Sequence, residues 1–400
     1  MTGGPERGGV RHSDEHGRSG IAPEHRPRVL LLIKCLGYGG AERLLVDMAA
    51  HRDRLAFDYE VAYVLRREDG LVRAMERTGV VVHALGAEGN WDLRWLAALR
   101  RLLVRGRFDL LHSHLPYAAS LARLVARTLP KDRRPLLVYT EHSMWDKMAV
   151  VVKGLNRATI GLDQALVVVS DSARAVLPAP VRPRARVVVH GVDRERSAEL
   201  AGRRDALRRR VRAEFDVGES ECLAVTVANL RPEKGYDTLL EATRLLVARG
   251  AGVRVVSVGR GPLRRDLEAS RDALGLGGWF LFAGQRDDAL EIVTGADVFV
   301  LASRQEGLPV ALMEAASVGA AIVATAVGEI PHLFTTEVDA VVVPPERPDA
   351  LADAVVRLAG DAELRRRLGQ GALARSAVFD VASATAEIEG LYRTLLDARS

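Results

Sequence analysis

One stretch restricts the fold more than any other, the run ADVFVLASRQEGLPVALMEAASVG from Ala296 to Gly319. Residues 297–302 are apolar and partly β-branched, too short and too unbroken for a helix, and predict a strand. Residues 303–308 are polar with one glycine and predict a tight loop at its carboxyl end. Pro309 suits the first turn of a helix, where its missing N–H costs nothing. Val310, Leu312, Met313, Ala316 and Ser317 then follow a helical spacing that Gly319 stops. A strand, a loop and a helix N-terminus in this order form the anion-binding crevice of an open parallel α/β sheet. Glu306 in the loop and Glu314 in the helix place two carboxylates on that crevice.

The rest of the chain repeats the same unit. Residues 28–35, RVLLLIKC, are continuously apolar, as a strand covered on both faces requires. They lead into Gly37-Tyr38-Gly39-Gly40-Ala41-Glu42 and a helix carrying Leu44, Leu45 and Met48. Gly39 and Gly40 let backbone N–H groups approach an anion, although Glu42 stands where a dinucleotide fingerprint would have its third glycine. Strands follow over 59–65, 80–84, 110–114, 136–140, 164–169 and 187–189. Helices are expected over 71–78 and 92–105, and a mixed apolar and basic helix over 145–157. Two strands end in histidine, at His112 and His114 and at His142.

After the segment His190-Gly191-Val192-Asp193 the pattern changes to a charged helical stretch over 194–212, which marks a boundary. Alternation then restarts with strands over 222–228, 253–258, 279–283, 297–302, 321–326 and 341–343. The expectation is therefore α/β, two doubly wound Rossmann-like domains facing a cleft. Residues 1–27 are a polar tail, 28–193 the first domain, 194–380 the second, and 381–400 a helix returning to the first. A length of 400 residues fits two cores better than one.

Composition narrows the partners. The net charge is +5, and only five of the 57 basic residues are lysine. The arginines are scattered and no base-reading motif occurs, which argues against nucleic acid as the partner. Cys35 and Cys222 both sit in apolar strand-like runs, as free thiols of a reducing compartment do. No apolar run reaches the length of a membrane span, so a cytoplasmic protein is expected. Trp91, Trp95, Arg94, Arg100, Arg101 and Arg105 accompany the helix over 92–105. A core-packed helix with a solvated arginine face and a peripheral helix on the inner face of the membrane both fit them.

Read together, the GGAE loop, the HGVD boundary, the run VANLRPEKG, the loop VGRGP and the paired-glutamate unit occur in the order seen in a known family. Over residues 28–380 the chain resembles the retaining glycosyltransferases of family 4, with GT-B architecture. The resemblance implies that Glu306 lies by the donor sugar and Glu314 holds the nucleotide ribose. It implies that Gly307, Leu308 and Pro309 offer backbone to the sugar hydroxyls, and Lys234 a cation to the pyrophosphate. Gly40 then approaches the β-phosphate and His142 the sugar. The chain departs from the pattern at three places. Asn229 replaces an arginine, for which Arg231 is the candidate substitute, and His190 and His332 replace an asparagine and an acidic residue.

A retaining transfer of a hexose from a UDP- or GDP-sugar to a glycan, lipid-linked or small-molecule acceptor follows from the resemblance. No Asp-x-Asp triplet or His/Asp cluster appears, so no metal or other cofactor is expected. Two rivals stand beside this expectation: a nucleotide-sugar epimerase of the same architecture, and a non-catalytic sugar- or membrane-binding relative.

Overall fold

In the computed structural model, residue 1, residues 26–142 and residues 148–399 are described. All but residues 1, 26 and 27 of the expected tail lie outside them, and so do Trp145 and Lys147. Two parallel sheets organise the chain. The first contains β1 (Arg28–Ile33), β2 (Asp58–Leu65), β3 (Val81–Ala87), β4 (Leu110–His114), β5 (Leu136–Glu141), β6 (Ala165–Val168) and β7 (Ala185–Val187). Its order is β3-β2-β1-β4-β5-β6-β7. The second contains β8 (Cys222–Val227), β9 (Val253–Val258), β10 (Phe280–Gly284), β11 (Val298–Leu301), β12 (Ile322–Thr325) and β13 (Val341–Val343), ordered β10-β9-β8-β11-β12-β13. Every strand pairing in both sheets is parallel.

Strands buried on both faces explain the unbroken apolar runs. Leu31 and Ile33 enter one core of the first sheet while Leu30 and Leu32 enter the other, and all four are fully buried. In the second sheet Phe299 and Leu301 face one core, and Val298 and Val300 the other. Burial of this kind contributes about 1.5–3 kcal/mol per large aliphatic side chain and is what makes the sheets, and hence their loop-bearing edges, rigid.

Several boundaries differ from the sequence expectation. β11 is shorter than 297–302, because the Asp297 carboxylate turns to accept from Arg208, Arg212 and the Leu223 N–H at the strand's start. Pro309 is the residue before the helix Val310–Ser317, with φ −81° and ψ 84°, not a member of its first turn. The strand expected over 187–189 is β7, two residues earlier, and the chain past it is spent on the segment that crosses between sheets. Cys35 follows β1 in a turn and does not lie inside the strand. A helix Pro116–Arg127 that was not anticipated packs beneath β4, its small residues Ala118, Ala119 and Ala122 allowing close approach.

The chain passes between the two halves twice, and the crossings touch. Val192 N–H donates to the Phe379 carbonyl at 2.9 Å and its own carbonyl accepts from Val381 N–H at 3.3 Å. A Cβ on Gly191 would stand 2.2 Å from the Asp380 carbonyl carbon, so only glycine permits this crossing. The last helix, Val381–Asp397, then covers the first sheet, with Tyr392 fully buried in its core.

Candidate active site between the sheets

In each sheet the strand order reverses at one place, between β1 and β4 and between β8 and β11. Loops diverge from such a switch point and leave a crevice at the carboxyl ends of the strands. The residues singled out in the sequence leave from these four strands or from their neighbours. Gly39 and Gly40 follow β1, His114 ends β4, His142 follows β5, Lys234 follows β8 and Glu306 follows β11.

The two crevices meet in one cavity of about 960 Å³, lined by Gly39, Gly40, Lys234, Glu306, Leu308, Pro309 and Glu314. Two helix N-termini open on it. The helix Gly40–Ala50 begins at Gly40, and a Cβ there would stand 3.2 Å from Val310 Cγ2 of the helix Val310–Ser317. Both helices thus turn the positive ends of their dipoles to the same space, the first with the buried Glu42 carboxylate in its opening turn.

Lys234 ends a single 3-10 turn, Pro232–Lys234, closed by Gly235 at φ +62°. Gly235 is required there, since a Cβ would lie 2.1 Å from the Ala302 carbonyl oxygen. The Glu233 carbonyl accepts from Arg304 N–H at 2.9 Å, which ties this turn to the loop after β11. Lys234 Nζ consequently reaches Glu306 Oε1 at 2.6 Å, and Ser303 Oγ donates to the same oxygen at 2.6 Å. Glu306 is buried while Lys234 keeps a fifth of its side chain exposed. The pair is a cation held at the crevice floor by a fixed carboxylate.

Glu314 sits one turn into its helix and faces Arg43 of the opposite wall and Arg196, which stands on the helix Arg194–Gly202 of its own half. Burial raises its carboxyl pKa, and the two guanidiniums, opposed by the nearby Asp47, offset only part of that rise. Among the described residues no side chain hydrogen-bonds this carboxylate, and Arg43 is itself paired with Asp47 at 3.1 Å. Neither Arg43 nor Arg196 carries a local signal for this role, and Arg43 reaches Glu314 only because the two walls face each other.

Gly307, Arg231 and His142 are not on the cavity lining. Gly307 faces the His142 carbonyl, from whose oxygen a Cβ on Gly307 would stand 3.1 Å. His142 therefore adjoins the Glu306 loop across the gap between the sheets. Arg231 is exposed, with its charge felt at Glu42, and stands outside the cavity as a substitute for the replaced arginine. Asn229 Nδ2 instead donates to the Tyr38 carbonyl at 3.0 Å, and Arg260 lies 4.8 Å over the Tyr38 ring. His332 is exposed within the short helix Ile330–Leu333.

His142 belongs to a group of four imidazoles. His112 stacks on His114 with centroids 4.3 Å apart, His114 Nδ1 lies 2.9 Å from His142 Nε2, and His142 and His190 meet edge to face at 5.1 Å. Burial holds all four well below the usual histidine pKa, with His190 at about 4, so all four are neutral near pH 7. Among the described residues no three His, Cys, Asp or Glu side chains are grouped to hold a metal ion. A second cavity of about 450 Å³ lies behind the second sheet beside Arg204 and Arg208. Arg204 there donates to the Thr294 and Val318 carbonyls and Arg208 to Asp297, so these cations brace helix ends.

Comparison with known proteins agrees with this geometry. The model described as Glycosyltransferase Family 4 matches residues 38–196, and that described as Glycosyl transferases group 1 matches residues 208–375. An alpha-D-kanosaminyltransferase of Streptomyces kanamyceticus is 25% identical over 78% of this chain and 84% of its own length. A D-inositol 3-phosphate glycosyltransferase of Saccharomonospora viridis is 29% identical over 73% of this chain and 72% of its own. Among solved structures, Anabaena HepE in complex with UDP-glucose superposes with a TM-score of 0.76 at 19% identity, over 92% of this chain and 99% of that one. That likeness concerns the fold, which is GT-B.

Proposed function

From the premise that the chain belongs to the glycosyltransferases of these two families, we propose that it moves a hexosyl group from a nucleoside diphosphate sugar to an acceptor hydroxyl with retention at the anomeric carbon. The carrying observation is the convergence of Lys234, Glu306, Glu314 and two helix N-termini on one cavity between the sheets. In the reaction the bond between C1 and the diphosphate oxygen breaks, and its electron pair leaves with the β-phosphate. Lys234 and the two helix ends stabilise the charge that grows there. Glu306 faces the sugar, where positive charge develops, and Glu314 accepts from the ribose hydroxyls. The acceptor oxygen bonds to C1 on the face the diphosphate leaves, and its proton goes to the departing phosphate. His142, beside Gly307, contacts the sugar.

The relatives support a nucleotide-sugar donor. HepE has been solved with UDP, with UDP and glucose, and with UDP-glucose. Acceptors named among the relatives include an inositol phosphate and a diphosphoundecaprenol-linked sugar, in keeping with a glycan, lipid-linked or small-molecule acceptor. The test is a panel of UDP-, GDP- and ADP-sugars read by thermal shift, followed by transfer assays with and without acceptor, and with EDTA. A donor at a hundred times its Kd should stabilise the fold by about 2.7 kcal/mol. Product formed only with acceptor, and unaffected by EDTA, is expected. Conversion of the donor sugar without acceptor would identify an epimerase, and loss of activity in EDTA restored by Mg²⁺ would overturn the metal-free mechanism.

A peripheral contact with an anionic membrane surface is part of this reading. No helix of the described residues is long and apolar enough to cross a membrane. The helices Arg94–Gly106, Pro116–Arg127 and Val150–Thr159 pack side by side on the first sheet. They and their flanks expose Trp91, Leu93, Leu124, Val150 and Val151 together with Arg100, Arg101, Arg105, Arg127 and Arg157. Apolar tips among cations suit anionic headgroups. Cys35 and Cys222 are buried free thiols, and burial pushes both well up, as suits a reducing cytoplasm.

A further inference from the structure

We propose that His114 is a positioning residue that fixes His142 as the Nδ1–H tautomer, so that His142 offers the donor sugar a hydrogen-bond donor. This rests on the reading of His142 as a sugar contact.

The argument is one of proton placement. His114 Nδ1 and His142 Nε2 are 2.9 Å apart, and both rings are neutral because burial disfavours their charged forms. Two neutral imidazoles at this distance share one proton, so one nitrogen donates and the other accepts. The second nitrogen of His114, Nε2, is buried with no hydrogen-bond partner among the described residues. Were His114 Nδ1 the acceptor, its proton would sit on Nε2 as a buried N–H with nothing to receive it. An orphaned N–H is rarer in folded proteins than an orphaned acceptor. His114 therefore keeps its proton on Nδ1 and donates to His142 Nε2, and the proton of His142 lies on Nδ1. No described residue accepts from that nitrogen. His190 follows the same rule, with Nδ1 3.2 Å from the Val188 carbonyl and Nε2 left without a partner.

The orientation of His114 is set from further along the same face of β4. His112 stacks on it, and His112 is pinned by Thr140 Oγ1 at 2.7 Å and by the Tyr392 hydroxyl. The C-terminal helix is thereby connected to the sugar contact through three side chains. A tautomer fixed in advance spares the enzyme the cost of selecting it when donor binds.

The test is two-bond ¹H–¹⁵N correlation spectroscopy of the histidine-labelled full chain, with the His142 signals assigned by their loss in His142→Gln. The wild type should show His142 as Nδ1–H. His114→Asn places an amide nitrogen near the former Nδ1 and should preserve that signature and most of the activity. His114→Phe keeps a ring but no donor; it should move His142 towards the Nε2–H form and lower kcat/KM roughly tenfold, the size of one lost hydrogen bond. An Nε2–H His142 in the wild type, or one unmoved by His114→Phe, overturns the proposal. Should His114→Phe fail to fold, the wild-type and His114→Asn spectra decide alone. A tautomer that moves while transfer does not would uphold the role of His114 and refute the sugar contact of His142.

Discussion

Lys234 does two things at once, and a substitution separates them. Its Nζ lies 2.6 Å from Glu306 Oε1, with 22% of the lysine side chain and 7% of the glutamate exposed. Lys234→Ala leaves a buried carboxylate with Ser303 as its remaining side-chain donor. Breaking a fully buried pair costs about 3–5 kcal/mol, but solvent already reaches the lysine. A loss nearer 1–3 kcal/mol is expected, the range for a buried charged group deprived of one hydrogen bond. In a domain of this size that lowers Tm by about 2–12 °C. The catalytic loss is separate and larger. The charge Lys234 meets grows as the diphosphate leaves, so its contribution belongs to the transition state, and kcat should fall about 10²–10³-fold.

The assay is steady-state kinetics with one donor and one acceptor, alongside thermal melts, on Lys234→Ala, Glu306→Gln and the double variant. Glutamine needs no counter-ion, so Glu306→Gln should remove most of the stability loss caused by Lys234→Ala, giving a clear coupling energy for two residues in contact. It should not restore kcat. An unchanged kcat with only KM raised would make Lys234 a binding residue. A double variant that regained turnover would show that Lys234 merely neutralises Glu306. Either result refutes the reasoning.

Three further outcomes are expected. Glu314→Gln should raise donor KM about 10- to 100-fold, spare kcat and weaken calorimetric binding of the nucleoside diphosphate, because a charged hydrogen bond of about 1.5–3 kcal/mol to the ribose is present before and during reaction. His190 has its folded pKa depressed to about 4, so its neutral form supports the fold fully above pH 6.5 and loses that contribution as pH falls towards 4, about 3 kcal/mol in all; melts between pH 7 and 4 should fall more steeply for the wild type than for His190→Gln. Replacing Arg100, Arg101 and Arg105 together by glutamate should abolish co-sedimentation with vesicles containing anionic lipid while leaving transfer to a soluble acceptor unchanged.

The sequence was most legible where one residue has one job. Continuous apolar runs named the strands, because a parallel sheet is covered on both faces, and the glycines and Pro309 marked where strands turn into helices. The same logic put Glu306 and Glu314 on the crevice, since loop order in a doubly wound sheet decides which residues face it, whereas Lys234 was singled out by the family resemblance. Contacts between the walls were not legible. Arg43 meets Glu314 only because the helix after β1 faces the helix after β11 across the cleft, and His114 meets His142 because β4 and β5, 28 residues apart in sequence at this contact, are neighbours in one sheet. Nothing local in the chain encodes that facing. The helix Pro116–Arg127 was obscured because its face is made of alanines, whose apolar signal is weak, although close packing under β4 requires small residues there.

Two of the three departures from the family pattern, Asn229 and His190, lie on the seam between the sheets, whereas His332 is exposed on its short helix. At position 229 an arginine would have reached for phosphate. Asn229 is shorter, and its amide spans the gap to hold the Tyr38 carbonyl, while Arg260 covers the Tyr38 ring. Where the family pattern has a cation this chain has a cross-cleft hydrogen bond, and in the proposed reaction the phosphate grip is assigned to Lys234 and the two helix N-termini. Lys234 is already engaged by Glu306, so a donor diphosphate must draw it away from a carboxylate 2.6 Å distant. That competition costs ground-state binding and is relieved as the leaving group gains charge, which favours the transition state over the substrate. His190 completes the seam. It lies where the family has asparagine and packs edge to face on His142, so the sugar side of the cleft is bounded by neutral imidazoles and the phosphate side by a paired cation. A hexosyl group bearing hydroxyls, with its charge confined to the diphosphate end, is the substrate that this division of polarity fits.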